Sequence, residues 1–129
     1  MNLKIEIKSN LNSVEYKIIQ NAKKEGLLFS DNIFYFILKD DSSVVGFFGI
    51  KYSKDKAIFK CDYVLNDYRG NSFLLKMNIE RLRWLKINTK IRKVEANATR
   101  MALNSHIKAG ASIVKKYKNG ITKVNYEIL

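Results

Sequence analysis

His106 is the only histidine of the chain, and histidine is the side chain best suited to proton transfer near neutral pH. Its unperturbed pKa of about 6.5 favours a role as a general acid or base, and a surface position near a helix end is the alternative. Cys61 is the only cysteine, so an internal disulfide is excluded, and we interpret this residue as a small core side chain. One cysteine and one histidine also exclude zinc sites of the finger type, and no metal is expected.

The net charge of +12 is the strongest feature of the composition. It favours an anionic partner such as nucleic acid, a phosphate-bearing cofactor or an acidic protein surface. A coding bias that enriches lysine, asparagine and isoleucine is the alternative. The basic stretch Arg81–Lys93 contains Trp84 and could follow a phosphate backbone, but it also fits the solvated outer face of a helix.

A chain of 129 residues, of which 47% are hydrophobic, is expected to form one domain over residues 1–129 around a single core. No apolar run approaches the roughly 18–20 residues that span a bilayer, so no membrane association is expected. The first residues alternate between polar and apolar types and lack the apolar stretch of a secretory signal. The sequence therefore predicts a basic cytoplasmic protein.

The chain contains no proline, so its turns are marked by glycine, asparagine, aspartate and serine. Between these turns, alternating apolar residues predict strands, and apolar residues at helical spacing predict helices. The predicted order is β-α-β-β-β-α-β-α-β-β. Strands are expected at Leu3–Ile7, Ile33–Lys39, Val44–Tyr52, Ala57–Leu65, Lys93–Ala98, Ser112–Tyr117 and Thr122–Ile128; helices are expected from Asn12 or Ser13 to Gly26, from about Ser72 to Ile87, and from Thr99 to Ala109.

The second predicted helix connects two strands that should lie side by side. Such a crossover makes Ala57–Leu65 and Lys93–Ala98 parallel neighbours in an otherwise antiparallel sheet. Open α/β sheets bind ligands near such switch points, because the strand ends separate there. The predicted fold class is therefore α/β (α+β), with a mixed, mostly antiparallel sheet, one central parallel pair and flanking helices.

This order, together with the stretch Asp67-Tyr68-Arg69-Gly70, resembles the GNAT superfamily of N-acyltransferases from Phe34 to Leu129. In that family the fourth strand ends in a loop of pattern Arg/Gln-x-x-Gly-x-Gly/Ala, and the next helix begins at the pyrophosphate of coenzyme A. Arg69 and Gly70 match the common Tyr-Arg-Gly opening, whereas Ser72 and Leu74 replace glycines. Glycines suit such a loop because backbone N–H groups must approach the diphosphate closely.

The resemblance implies that acetyl-CoA or another acyl-CoA is the co-substrate. It also implies that the pantetheine arm lies along the end of the fourth strand. The implied binding residues are Val64, Leu65, Arg69, Gly70, Asn71, Ser72, Phe73, Leu74, Asn97 and Asn104.

In many family members a tyrosine four residues before a Gly-Phe pair protonates the leaving thiolate. His106 takes the position of that tyrosine and Ala111 that of the phenylalanine, so the resemblance implies that His106 is the proton donor. Ser105 is the neighbouring alternative. Asp62 and Glu95 are candidates for deprotonating an amine through water, and pairing with lysine or arginine is their alternative role.

The sequence thus predicts an acyl-CoA-dependent N-acyltransferase, with acetyl-CoA as the expected donor and direct transfer to an amine. The acceptor is open: a small molecule, a protein or a nucleic acid. One alternative is a GNAT-like enzyme that modifies nucleic acid. The other is a degenerate GNAT-like domain that binds nucleic acid or protein without catalysis. Homodimerisation also stays open.

Overall fold

The computed structural model describes residues 2–70 and 72–129. It contains seven strands: β1 (Leu3–Lys8), β2 (Ile33–Asp40), β3 (Ser43–Ser53), β4 (Lys56–Val64), β5 (Lys93–Ala98), β6 (Ser112–Lys116) and β7 (Thr122–Glu127). The three helices are α1 (Ser13–Lys24), α2 (Phe73–Asn88) and α3 (Arg100–Lys108). One 3-10 turn, Asn66–Tyr68, lies between β4 and α2. Among the described residues, no helix has the length and apolar character needed to cross a membrane.

The strands form one mixed sheet in the order β1-β2-β3-β4-β5-β7-β6. β4 and β5 are parallel, and the other neighbouring pairs are antiparallel. The predicted element order, the antiparallel meander and the central parallel pair are therefore confirmed. The observed ends differ from the predicted ones by at most two residues, and β5 matches at both ends.

The helix starts follow from local polar chemistry. Asn12 caps α1 by accepting hydrogen bonds from the amides of Val14 and Glu15, and the Glu15 side chain bonds back to the Asn12 amide. Thr99 caps α3 through the amide of Ala102. α2 begins one residue later than predicted, because Ser72 occupies the N-cap position with a left-handed backbone, φ 59°.

Each face of the sheet carries its own apolar core, because successive strand residues point to opposite faces. In β2, Tyr35 and Ile37 belong to the cluster that includes Ile18 and Ile19 of α1; we call this side the α1 face. Alternate residues of β2 belong to the opposite cluster, with Phe73, Met77 and Leu85 of α2; we call it the α2–α3 face.

Candidate functional site

A cleft opens where β4 and β5 separate. Their ladder ends at the pair Phe59 and Ala96, although β4 continues to Val64. From Lys60 onward, the β5 side of β4 therefore has no strand partner. The separation leaves a cleft of about 610 Å³, lined by β4, the segment after α1, the end of β5 and the cleft side of α3.

A bulge in β4 determines which side chains face the cleft and which face the core. Cys61 has a left-handed backbone, φ 61°, and the register between β3 and β4 shifts at this point. A bulge adds one residue to one strand and reverses the alternation of side chains beyond it. Cys61 therefore joins the core of the α1 face, whereas Asp62 turns to the α2–α3 face. On β3, Gly49 fits under this distortion, since a Cβ there would lie 2.4 Å from the Lys60 carbonyl oxygen.

Asp62 meets a fully buried arginine. Arg81 of α2 has 0% exposure and donates two hydrogen bonds to the Asp62 carboxylate, at 2.8 and 3.0 Å. A third goes to the Gly49 carbonyl oxygen at 2.9 Å, and the guanidinium lies 4.1 Å from the centroid of the Phe59 ring. Burial of a charge is tolerated only with such pairing. The sequence placed Arg81 in a basic stretch that fits a solvated helix face, and the structure shows that this residue is instead buried.

The polar contacts continue from Arg81 to His106. Arg81 Nη2 donates to Asn78 Oδ1, and Asn78 Nδ2 lies 3.3 Å from His106 Nδ1. The hydroxyl of Tyr126, on β7, lies 2.6 Å from the same nitrogen. Asp62, Arg81, Asn78, His106 and Tyr126 thus form one contiguous chain of polar groups, which we call the buried polar chain.

Burial dominates the protonation of this chain. It lowers the pKa of His106 from 6.5 to about 4, with a smaller lowering by Arg81 and a smaller opposing effect of Asp62. Burial likewise raises the pKa of Tyr126 above its usual value. At neutral pH, His106 is therefore neutral and Tyr126 keeps its proton. A neutral imidazole donates a hydrogen bond but not the proton of an imidazolium.

The loop between β4 and α2 lies at one end of the cleft. Gly70 has φ 84°, a conformation that glycine adopts without strain. The predicted binding residue Asn71 lies outside the described residues. Ser72 makes no side-chain hydrogen bond to the start of α2. Phe73 is buried, and Leu74 packs against the core of the α2–α3 face while also lining the cleft.

Arg69 connects this loop to α1. Its Nε donates to the Val64 carbonyl oxygen at 2.8 Å, and its Nη2 lies 3.1 Å from the Glu25 carboxylate. The guanidinium also lies 5.4 Å from the centroid of the Tyr63 ring, and the Tyr63 hydroxyl donates to Glu25. These hydrogen bonds lower the pKa of Glu25, so that its carboxylate stays ionised beside the loop.

The structure brings only part of the predicted site together. Asp62, Val64, Leu74, Asn97 and His106 line the cleft. Leu65 follows β4 and packs against the core, and Ser105 and Asn104 lie beside His106 on α3 but outside the lining of the cleft.

Glu95 is placed differently from the rest of the predicted site. It lies where β4 and β5 are still paired, and its carboxylate contacts Lys56 at 3.0 Å and Lys123 at 3.6 Å. The hydrogen bond from Lys56 is the main cause of its lowered pKa.

Sequence reasoning missed Asn78, Arg81 and Tyr126. The only signal for them was the spacing of Asn78 and Arg81, which are three residues apart and share one face of a helix. That pattern alone does not distinguish a buried face from a solvated one.

Solved structures similar to this chain include proteins named as acetyltransferases and N-acyltransferases. A candidate N-acetyltransferase from Lactobacillus plantarum matches with a TM-score of 0.81 at 14% identity, over 100% of both chains. An acetyltransferase of the GNAT family from Streptococcus pneumoniae matches with a TM-score of 0.67 at 13% identity, over 98% of this chain and 100% of the other. This chain has the GNAT fold.

A third GNAT-like structure was solved with a ligand. The acetyltransferase from Bacillus subtilis in complex with CoA has a TM-score of 0.75 at 12% identity, over 99% of this chain and 100% of the other. No protein-family model and no curated protein matches the sequence. At such low identity the likeness concerns the fold, and the roles of individual residues must be argued from this chain's own geometry.

Proposed function

We propose that the protein is an acyl-CoA-dependent N-acyltransferase that transfers an acyl group, in the first instance acetyl, directly to an amine. The observation that carries this proposal is the separation of β4 and β5 over a cleft of about 610 Å³ lined by His106. The edge of β4 that lacks a strand partner offers backbone donors and acceptors to an extended ligand, and near its end the Val64 carbonyl oxygen also accepts from Arg69. A pantetheine arm, with two amides in an extended chain, has the matching groups.

The residues at the start of α2 fit a pyrophosphate. The Ser72 side chain makes no cap hydrogen bond to the first amides of α2, and these amides lie at the positive end of the helix dipole. Gly70 gives the loop its positive φ, and Arg69 supplies a cation beside it. We therefore assign the pyrophosphate to the loop from Arg69 to Leu74 and the pantetheine arm to Val64 and Leu65, with Asn97 across the cleft.

Acyl-CoA supplies a thioester carbonyl carbon that is open to attack. In the overall reaction a C–N bond forms and the C–S bond breaks; the amine loses one proton and the thiolate gains one. The chain's contribution is to orient both reactants and to donate hydrogen bonds where negative charge develops. A backbone N–H of β4 serves the carbonyl oxygen, and the Nε2–H of His106 serves the sulfur.

Asp62 is the candidate carboxylate that lines the cleft, whereas Glu95 is held by two lysines outside it. Asp62 is engaged by Arg81 as well, so its role as a base must operate through water at the side of the carboxylate that faces the cleft. We propose Asp62 as the first base candidate, because it lines the cleft, and Glu95 as the second.

Thermal unfolding with acetyl-CoA tests the proposal. A ligand that binds only the native state raises the melting temperature, so millimolar acetyl-CoA should stabilise the protein. Arg69→Gln should reduce this shift, because it removes the cation at the loop. Arg83→Gln is the matched control: Arg83 is exposed, pairs with Glu80 within α2 and also loses one positive charge. Mass spectrometry of the protein purified without ligand would identify a retained acyl-CoA.

No stabilisation by acetyl-CoA would contradict the proposal and favour a GNAT-like domain without acyl-CoA chemistry. Binding to heparin over a salt gradient then distinguishes the rivals. Binding driven by phosphate-like groups weakens steeply with salt, as expected for a nucleic-acid partner of a chain with net charge +12. Heparin binding that does not weaken with salt would argue against a nucleic-acid partner recognised through the net charge.

A further inference from the structure

Two members of the buried polar chain, Asn78 and Tyr126, meet at Nδ1 of His106. We infer that Asn78 and Tyr126 are positioning residues that keep the proton of neutral His106 on Nε2, so that the ring always presents a hydrogen-bond donor to the cleft. This inference rests on the proposed function, since a donor at this place matters for the departure of a thiolate.

The orientation of the Asn78 amide is set by Arg81. A guanidinium has five N–H donors and no acceptor, so the atom of Asn78 that faces Arg81 Nη2 must be the oxygen. The Nδ2 amino group then faces His106 Nδ1 at 3.3 Å. An NH₂ group only donates, and Nδ1 must therefore accept.

Tyr126 adds a second hydrogen bond to the same nitrogen. Its hydroxyl, which can donate or accept, lies 2.6 Å from Nδ1, and it must donate because the Asn78 amino group already requires Nδ1 to accept. Burial raises the pKa of Tyr126, so the phenol keeps the proton that it donates. Two donors thus converge on Nδ1, and a neutral imidazole with an unprotonated Nδ1 carries its proton on Nε2.

This arrangement also opposes the imidazolium. A proton on Nδ1 would face the Asn78 amino group, which cannot turn over because Arg81 holds its oxygen. The charged groups that act on the ring are Arg81 of α2 and Asp62 of β4, and the titratable group that touches it is Tyr126 of β7. Burial of the ring lowers the pKa of His106, and Arg81 and Asn78 act in the same direction.

Nε2 is the nitrogen left for the cleft. Nδ1 is engaged on the core side, and His106, with 4% exposure, lines the cleft. A donor that is fixed by its neighbours is present at neutral pH, because His106 titrates only near a pKa of about 4. The residue at this position therefore acts through a hydrogen bond to the sulfur, and the proton that the thiolate finally takes up comes from the amine by way of solvent.

Nitrogen NMR of the protein tests the inference without any ligand. His106 is the only histidine, so its two ring nitrogens give unambiguous signals. We expect an unprotonated Nδ1 and a protonated Nε2 at neutral pH, with titration only near the pKa of about 4. A proton on Nδ1, or titration at the ordinary pKa of histidine, would overturn the inference, and this outcome is independent of acyl-CoA binding.

Asn78→Asp replaces the hydrogen-bond donor that faces Nδ1 with an acceptor. The new carboxylate still accepts from Arg81 but can no longer donate to the ring, so the proton should move to Nδ1 and the pKa of His106 should rise. We expect kcat to fall by roughly 10²-fold, with little change in the Michaelis constant for acetyl-CoA. Asn88→Asp is the matched control on the same helix, because Asn88 is exposed and its side chain donates to the Trp84 carbonyl oxygen.

Tyr126→Phe provides a second variant if Asn78→Asp does not fold. Loss of one donor should raise the pKa of His106 and lower kcat, whereas Tyr117→Phe, at an exposed tyrosine, should do neither. Unchanged kcat in a variant whose ring proton has moved would overturn the positioning role. Normal NMR behaviour without any turnover or acetyl-CoA binding would instead contradict the proposed function, so the two failures are distinguishable.

Discussion

The two faces of the sheet are built from the same strands but bury different chemistry. On the α1 face, Ile18, Ile37 and Phe47 pack with aromatic neighbours, and Tyr35 and Tyr63 contact the Phe47 ring at centroid distances of 5.7 and 5.6 Å. The buried carboxylate on this side, Glu15, lies at the start of α1 and serves as part of its cap, with Lys8 at 2.7 Å. The buried carboxylate of this face therefore completes the N-terminal cap of α1.

The α2–α3 face instead buries polar groups within its core. Arg81 has 0% exposure and lies among Phe48 and Phe59, and its contacts lead through Asn78 to His106. Apolar side chains of similar volume could fill this space, and they are often as stabilising as a buried ion pair. The comparison indicates that the α1 face buries mainly apolar side chains, whereas the α2–α3 face also buries polar groups that lead to the cleft.

The largest expected effect comes from breaking the ion pair of the α2–α3 face. Arg81→Met should lower the free energy of unfolding by about 3–5 kcal/mol, because Asp62 and Asn78 lose their partner in a low-dielectric environment. The double variant Arg81→Met with Asp62→Leu should recover about 1 kcal/mol or more, since no unpaired charge remains. Urea unfolding measures both. A double variant that is less stable than the sum of the single variants would contradict this account.

The next effect is a pH dependence of stability that belongs to His106. Burial lowers the pKa of His106 to about 4, so the unfolded chain binds more protons than the folded one between pH 6.5 and 4. Stability is therefore complete above pH 6.5 and falls by about 2–3 kcal/mol as the pH decreases to about 4.5. The carboxylates with lowered pKa values, among them Glu15 and Glu95, add losses only below this window.

His106→Asn separates this contribution from the others. Asparagine keeps an acceptor near the place of Nδ1 but does not titrate, so the slope between pH 6.5 and 4.5 should flatten. Urea unfolding at several pH values provides the measurement. An equally steep slope in wild type and variant would assign the pH dependence to other groups.

The smallest expected effect comes from the apolar α1 face. Ile37→Val removes one buried methylene group and should lower the free energy of unfolding by about 0.5–1.5 kcal/mol. Because Ile37 lies on the opposite side of the sheet from His106, the pH dependence of stability and the turnover number should stay unchanged. A change in kcat would show that the two faces are coupled through the sheet.

Much of the fold could be predicted from the sequence, because its signals are local. Asn12 and Thr99 cap their helices through hydrogen bonds within three residues, and the alternation in β2 distributes Tyr35 and Ile37 to one face. The parallel arrangement of β4 and β5 follows from the helix between them and from the handedness of crossovers. These features depend on spacing along the chain, which the sequence displays directly.

The sequence by itself also determined the chemistry available to the site, since it contains one histidine, one cysteine and a loop with Arg69 and Gly70. Only the tertiary structure decided how that chemistry is arranged. The left-handed backbone at Cys61 reverses the alternation of β4 and turns Asp62 toward Arg81, and the contact between α2, α3 and β7 brings Asn78 and Tyr126 to one nitrogen of His106. Arg81 lies 19 positions from Asp62, and Tyr126 lies 20 from His106, so no local pattern connects them. Whether a charged residue is solvated or buried depends on what packs against it, and that is a property of the folded chain.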